Sequence, residues 1–230
     1  MKSGGRDGKA EMGIQAGRTS GETTMRAPIL ALIGLLCLGP ARAADDPAAA
    51  APSKDPTQVR AGAYVLDPDH GKITWSVSHL GYSTYYGQFT GLSGKLDLDP
   101  KAPDKSRLEV TVPLGGVVTG SPRLNEHLAA PDFFDTAKFP SATFTATAVE
   151  PTSPTTARIT GDLTLRGVTR PLAIDATFNQ AGIHPVDQRY TVGFDGRAVV
   201  KRSDFGVNAY LPALGDEVSL RIEGEFKAAP

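Results

Sequence analysis

The sequence predicts an all-β domain of antiparallel strands, a sandwich or a closed barrel, and three observations point there. Apolar and polar residues alternate along the runs beyond Ala63, the period of a strand with one dry and one wet face. Chain-reversing residues are plentiful, with 25 Gly and 18 Pro in 230 residues, so the runs are short and bounded by turns. No helical periodicity lies between the runs, which removes a parallel βαβ layout.

The first 43 residues stand apart from that pattern. Residues 29–38 (Ile-Leu-Ala-Leu-Ile-Gly-Leu-Leu-Cys-Leu) carry no charge, but a membrane span takes about 20 apolar residues. Arg26 precedes the run and Ala41-Arg42-Ala43 follows it, the arrangement of a secretory signal cut after Ala43. The domain is therefore expected to be secreted. Residues 1–24 are polar and Gly-rich, and Met25 sits directly ahead of Arg26, so translation is expected to start at Met25. Cys37 is the single cysteine and follows Leu36 rather than the small residue a lipoprotein acceptor needs. It is thus lost with the signal, and no disulfide framework or multi-thiolate metal site is expected.

What is left keeps 18 basic and 22 acidic residues, net −4. Such a surface carries no polybasic patch for nucleic acid or an anionic membrane. Residues 44–61 are Ala/Pro-rich without periodicity and read as a semi-extended tether. The folded domain is expected over 62–228.

Within the domain, Ile73, Trp75 and Val77 face one way in 72–78, with Lys72, Thr74, Ser76 and Ser78 opposite. The alternation recurs at Leu108, Val110 and Val112, at Phe144, Ala146 and Ala148, and at Leu163 and Leu165. It continues through Leu172, Ile174, Ala176 and Phe178, then Val192 and Phe194, then Val218, Leu220 and Ile222. With Tyr82–Phe89 and Leu92–Leu98 this makes eight or nine strands. Gly81, Gly87, Gly91 and Gly94 fall in one aromatic-rich strand pair, and glycines so spaced permit the coiling of a closed wall. Eight strands would enclose room for one slender ligand.

Residues 119–140 break the rhythm. Ser121 suits an N-cap and Pro122 the first helical position. Leu124 and Leu128 share a face, Pro131 ends the turn, and Asp132 opens a second short turn carrying Phe133 and Phe134. This is a helical insertion loaded with apolar bulk.

Tyr64-Val-Leu-Asp67, His79-Leu-Gly81, Gly87-Gln-Phe89, Leu124 through Leu128, Asp132-Phe133-Phe134-Asp135 and Lys138-Phe139-Pro140 occur in that order. Gly161 through Pro171, Arg202-Ser-Asp-Phe-Gly206 and Gly215-Asp-Glu-Val218 follow. Together they resemble the YceI family of periplasmic, lipocalin-like, polyisoprenoid-binding proteins over essentially 63–228. The resemblance implies an eight-stranded antiparallel lipocalin-like β-barrel whose apolar bore holds a long isoprenoid lipid, polyprenyl or quinone-like. It implies no catalytic residue, no metal and no cofactor beyond the bound lipid; some relatives pair into a homodimer, and the oligomeric state is left open.

Candidate ligand contacts follow from that picture. Phe133 and Phe134 would line the mouth or form a lid, against a plain plug of the barrel end. Phe89 and Phe144 would be ligand wall or packing, and Tyr82, Tyr85 and Tyr86 could lay a ring on an apolar chain while keeping the hydroxyl wet. Trp75 is expected to anchor the core. His79 ends a strand and reads as a hydrogen-bonded structural residue beside its candidacy. Lys201 or Arg202, near Phe205, would neutralise a phosphate or polarise a quinone carbonyl at the mouth, or Arg202 would pair with an acid while Asp204 caps a tight turn and Gly206 takes φ > 0. His127, on the insertion near Asn125 and Glu126, would make a polar contact to a headgroup or fall on a solvated helix face; His70 and His184, in turn-rich loops, are assigned no role. No nucleophile elbow, phosphate loop or dinucleotide fingerprint occurs. Binding without chemistry is the leading reading, with a lipid hydrolase or isomerase and a ligand-free packed scaffold as alternatives.

Overall fold

The computed structural model describes residues 51–230, and all that follows concerns these. The signal region 1–43, the start at Met25, Cys37 and the tether's first residues lie outside them.

The alternating runs build eleven strand segments that merge into eight staves. β1 (Gly62–Leu66) and β2 (Lys72–His79) lie end to end along one neighbour, β11 (Leu214–Ala228). β3 (Ser83–Phe89) pairs with β2 while β4 (Ser93–Leu98) pairs with β1. In the third stave β5 (Arg107–Pro113) pairs with β4 and β6 (Val117–Val118) with β3. The breaks at Asp67–Gly71, Thr90–Leu92 and the 3-10 turn Leu114–Gly116 bend three adjacent staves. β7 (Ser141–Pro151), β8 (Thr156–Leu165), β9 (Val168–Ile183) and β10 (Tyr190–Lys201) follow, each antiparallel to the last. β10 pairs with β11, and β11 returns to β1, so the meander closes and the expected eight-stranded antiparallel barrel is what forms.

Two departures from strict alternation re-aim the wall. Ala146 opposes Gly161 but Ala148 opposes Thr160, so Thr147 is an extra residue in β7. The bulge turns Ala148 away from the inner face and puts Val149 there instead, opposite Ile159. A second shift, between Gly193 and Phe194, leaves Asn179 extra in β9. Each bulge adds bend and twist, which a closed wall requires. At the β8–β9 hairpin, Arg166 and Gly167 both take positive φ (51° and 73°), the two-residue turn whose twist matches antiparallel strands.

One end of the barrel is plugged. The insertion forms α1 (Pro122–Ala129), with Ser121 as N-cap accepting from the Leu124 N–H and Pro122 in the first turn, as expected. Leu128 and Phe133 join Trp75, Val77, Val117 and Val207 in a buried cluster that closes this end. A second cluster, including Tyr64, Leu66, Leu92, Leu96, Val192 and Phe226, packs the wall further along.

The described part of the expected tether does not run free. Ser53 exchanges backbone hydrogen bonds with Ala181 (2.8 and 2.9 Å), and Asp55 caps a 3-10 turn at Pro56–Gln58 through the Thr57 N–H (2.9 Å). Val59 is buried in the wall cluster. Residues 53–59 therefore form a strap across the barrel's other end.

Candidate functional site

Between plug and strap lies a cavity of about 460 Å³, within the range of small-molecule sites. Its walls are the inward residues of the alternating strands: Leu108, Val110 and Val112 on β5, Phe144 and Val149 on β7, Ile159 and Leu163 on β8. Leu172, Ile174, Ala176 and Phe178 continue it on β9, Phe194 on β10, and Leu220, Ile222 and Phe226 on β11. The cavity reaches the end away from α1. There the β4–β5 and β7–β8 connections supply Pro100, Pro103, Ser106, Pro151, Pro154 and Thr155, and the strap supplies Pro56, Thr57 and Val59.

The lining contains no lysine, arginine or histidine; Asp195 and Glu223, register partners on β10 and β11, border it but alternate with the inward Phe194 and Ile222 and turn their side chains to the outer face. A surface this apolar excludes water from its walls, and burying a chain there gains about 0.8 kcal/mol per CH₂. Hydroxyls at the strap end can orient a polar terminus.

Of the predicted contacts, Phe144 lines the cavity. It is 6% exposed, and its ring lies where a Cβ on Gly161 would fall, 2.5 Å from ring carbon Cζ, so a side chain at 161 would displace the wall. Phe89 and Phe134 meet edge to face, centroids 5.5 Å apart, and pack against both clusters between cavity and plug.

The remaining candidates are not cavity wall. Phe133 is core of the plug, T-shaped against His127 at 4.9 Å, and Arg166 fixes this segment by donating to the carbonyls of Pro131 and Phe133. Tyr85 lies along Trp75 (6.3 Å) and donates its hydroxyl to the Thr119 carbonyl, while His79 rests beside Tyr85. Tyr82 is 91% exposed on the β2–β3 turn. Trp75 is core, as expected, and its indole covers Gly87 so closely that a Cβ there would sit 2.2 Å from the ring.

Arg202 is placed differently from both expectations. It is buried beside Phe205, and its guanidinium donates to the carbonyls of Gly215 (2.7 Å), Val207 (2.7 Å) and Leu214 (2.9 Å). Burial holds its pKa below the ordinary value, and the Asp216 charge offsets only part of that. Asp216 itself accepts from Ser203 N–H and Oγ. The arginine ties the β10–β11 connection to the plug, with no donor turned to the cavity, while Gly206 takes φ +74° as expected.

Sequence reasoning missed two groups. The strap was hidden by its Ala/Pro composition, and the rim prolines read only as turn signals. The other group is a charged latch on the barrel seam. Lys227 bonds Asp67 (2.7 Å) and Asp187 (2.5 Å), flanked by His70 on Asp67 (2.9 Å) and His184 on Asp187 (3.3 Å). Asp67, His70 and Glu225 offer three oxygen or nitrogen atoms within 4.8 Å of one another, but the Lys227 ammonium already holds Asp67 and opposes a second cation.

Residues 64–226 match the YceI-like domain family. A UPF0312 protein of Pseudomonas savastanoi pv. phaseolicola is 39% identical over 152 residues, which cover 65% of this chain and 79% of that protein. The YCEI protein of Campylobacter jejuni is 30% identical with a TM-score of 0.60, covering 66% of this chain and 90% of that one. A polyisoprenoid binding domain from Saccharophagus degradans, 17% identical, superposes with a TM-score of 0.53 over 74% of this chain and all of that one, a likeness of fold alone. The family match runs from β1 into the last residues of β11, and the chain belongs to the YceI-like domain family.

Proposed function

We propose that this protein holds an apolar, isoprenoid-type lipid inside the barrel and carries or sequesters it without chemistry, in the periplasm after removal of its signal. The observation that carries the reading is the aliphatic cavity of about 460 Å³ with no cationic side chain in its lining. A prenyl chain needs burial rather than directed polar contacts, and these walls supply burial alone. A filled scaffold has no use for such a void. An enzyme would need a base beside the reactive carbon, and His79 and His127 both belong to the plugged end. The Saccharophagus degradans neighbour is described as binding polyisoprenoid, which agrees in ligand class.

The test is native mass spectrometry of the full chain, expressed with its signal and purified without organic solvent. The expected result is a fraction of molecules carrying a lipid adduct, removed by detergent and restored by adding a C20 prenyl alcohol. A bare mass together with failure to take up that alcohol would sink the proposal.

A further inference from the structure

We infer that the cavity selects isoprenoids whose polar end is uncharged, an alcohol, phenol or ketone, over those ending in phosphate or diphosphate. The inference rests on the lipid-binding reading above and adds the headgroup.

Its basis is the partition of charge in the barrel. No lysine, arginine or histidine lines the cavity, and Asp195 and Glu223, which border it, alternate with the inward Phe194 and Ile222 and so turn their side chains to the outer face. The arginine that sequence reasoning offered to a headgroup, Arg202, spends its donors on three backbone carbonyls at the plugged end. Cations of the same strands gather in a depression of the outer wall, where Arg197 and Arg221 stand directly opposite and Arg158 pairs with Asp175. Basic side chains are thus available to this wall and lie outside it.

A phosphate drawn into the bore would meet hydrocarbon, with no countercharge in the lining, and an ion desolvated in that way is strongly disfavoured. A hydroxyl or carbonyl faces a far smaller desolvation cost. Near the strap it finds Thr57, Ser106, Ser153, Thr155 and Thr156, groups that donate and accept without carrying charge.

The test uses two probes that differ only in headgroup. Geranylgeraniol and geranylgeranyl phosphate are that pair, sharing one prenyl chain that the apolar walls of the cavity of about 460 Å³ can cover. Each is titrated below its aggregation concentration against a bound fluorescent farnesol derivative on the full chain. The alcohol should displace the probe at least tenfold more tightly at pH 8. The gap should narrow toward pH 5, where the phosphate drops its second charge (pKa about 6). Thr155→Lys, or Pro154→Lys should that variant not fold, places a cation at the rim and should close much of the gap at pH 8.

Equal or tighter binding of the phosphate overturns the inference and leaves lipid binding standing, as does a gap that neither pH nor the rim lysine moves. Failure of the alcohol, the phosphate and the fluorescent probe alike overturns the lipid reading, and the inference with it.

Discussion

Asp67 stitches the barrel's seam at the break between β1 and β2. Its side chain is 7% exposed, and one carboxylate oxygen accepts from both Lys227 (2.7 Å) and His70 (2.9 Å). Burial pushes its pKa up, but the hydrogen bonds from Lys227, His70 and the Asp69 N–H, with the Lys227 charge, outweigh burial and hold it well below the usual carboxylate range. A carboxyl depressed on folding contributes stability that is whole above its unfolded value near 3.9 and is lost as pH falls through the folded one. His70 runs the other way: the hydrogen bond to Asp67 and the charges of Glu225 and Asp67 raise its pKa. Its contribution is whole below about 6.5 and fades as pH rises through the folded value. Asp67→Asn should therefore cost about 1.5–3 kcal/mol at pH 6, the worth of a charged buried hydrogen bond. That cost should shrink steadily below pH 4, read from urea unfolding at each pH. A cost independent of pH would mean that shape rather than charge holds the seam. None of this is visible in sequence, because Asp67, Asp187 and Lys227 meet through closure of the barrel and not through spacing.

At the scale of elements, the strap is the part with consequences for ligand traffic. Residues 53–59 are held by one pair of ladder bonds to Ala181, by the Asp55 cap and by the buried Val59 side chain, yet Pro56, Thr57 and Val59 border the cavity. An N-cap is worth about 1 kcal/mol and a backbone bond a similar amount, against about 1.5–3 kcal/mol for burying Val59, so the stretch ahead of Val59 is the part that can open while the barrel stays folded. Ser53→Pro with Asp55→Ala removes one ladder donor and the cap. A bound fluorescent farnesol derivative should then dissociate about tenfold faster, following 1.4 kcal/mol per factor of ten, with the melting temperature nearly held. Proteolysis at Lys54 reports whether the strap has come free; an unchanged dissociation rate with a cleavable strap refutes the role. The strands themselves were legible. Their alternating apolar positions named most of the cavity wall, from Leu108 to Ile222, as the inner face. The missed positions have local causes: the Thr147 bulge moved Ala148 off that face, and the helical insertion, rich in aromatics, drew attention to the end that is plugged. Aromatic bulk marks burial, and burial in a plug looks the same in sequence as burial in a mouth.

At the scale of the molecule, everything functional follows from a barrel packed at one end and hollow along the rest. Eight staves close with an interior barely wider than the side chains that enter it, so the difference between a solid and a hollow bore is a matter of a few side chains. Here Ala176 on β9 and Gly196 on β10 both border the cavity, and both leave space where a larger residue would fill it. Ala176→Phe adds a ring to the void. In a close-packed core such an insertion costs about 1–3 kcal/mol, but in an empty one the ring gains contacts and buries itself. The variant should thus unfold within about 1 kcal/mol of the parent by urea titration while losing at least tenfold in prenyl alcohol affinity and its lipid adduct in native mass spectrometry. Large destabilisation would show the bore already filled by its own side chains. Full retention of lipid by a stable variant would place the ligand somewhere other than the barrel axis, and the carrier reading would lose its site.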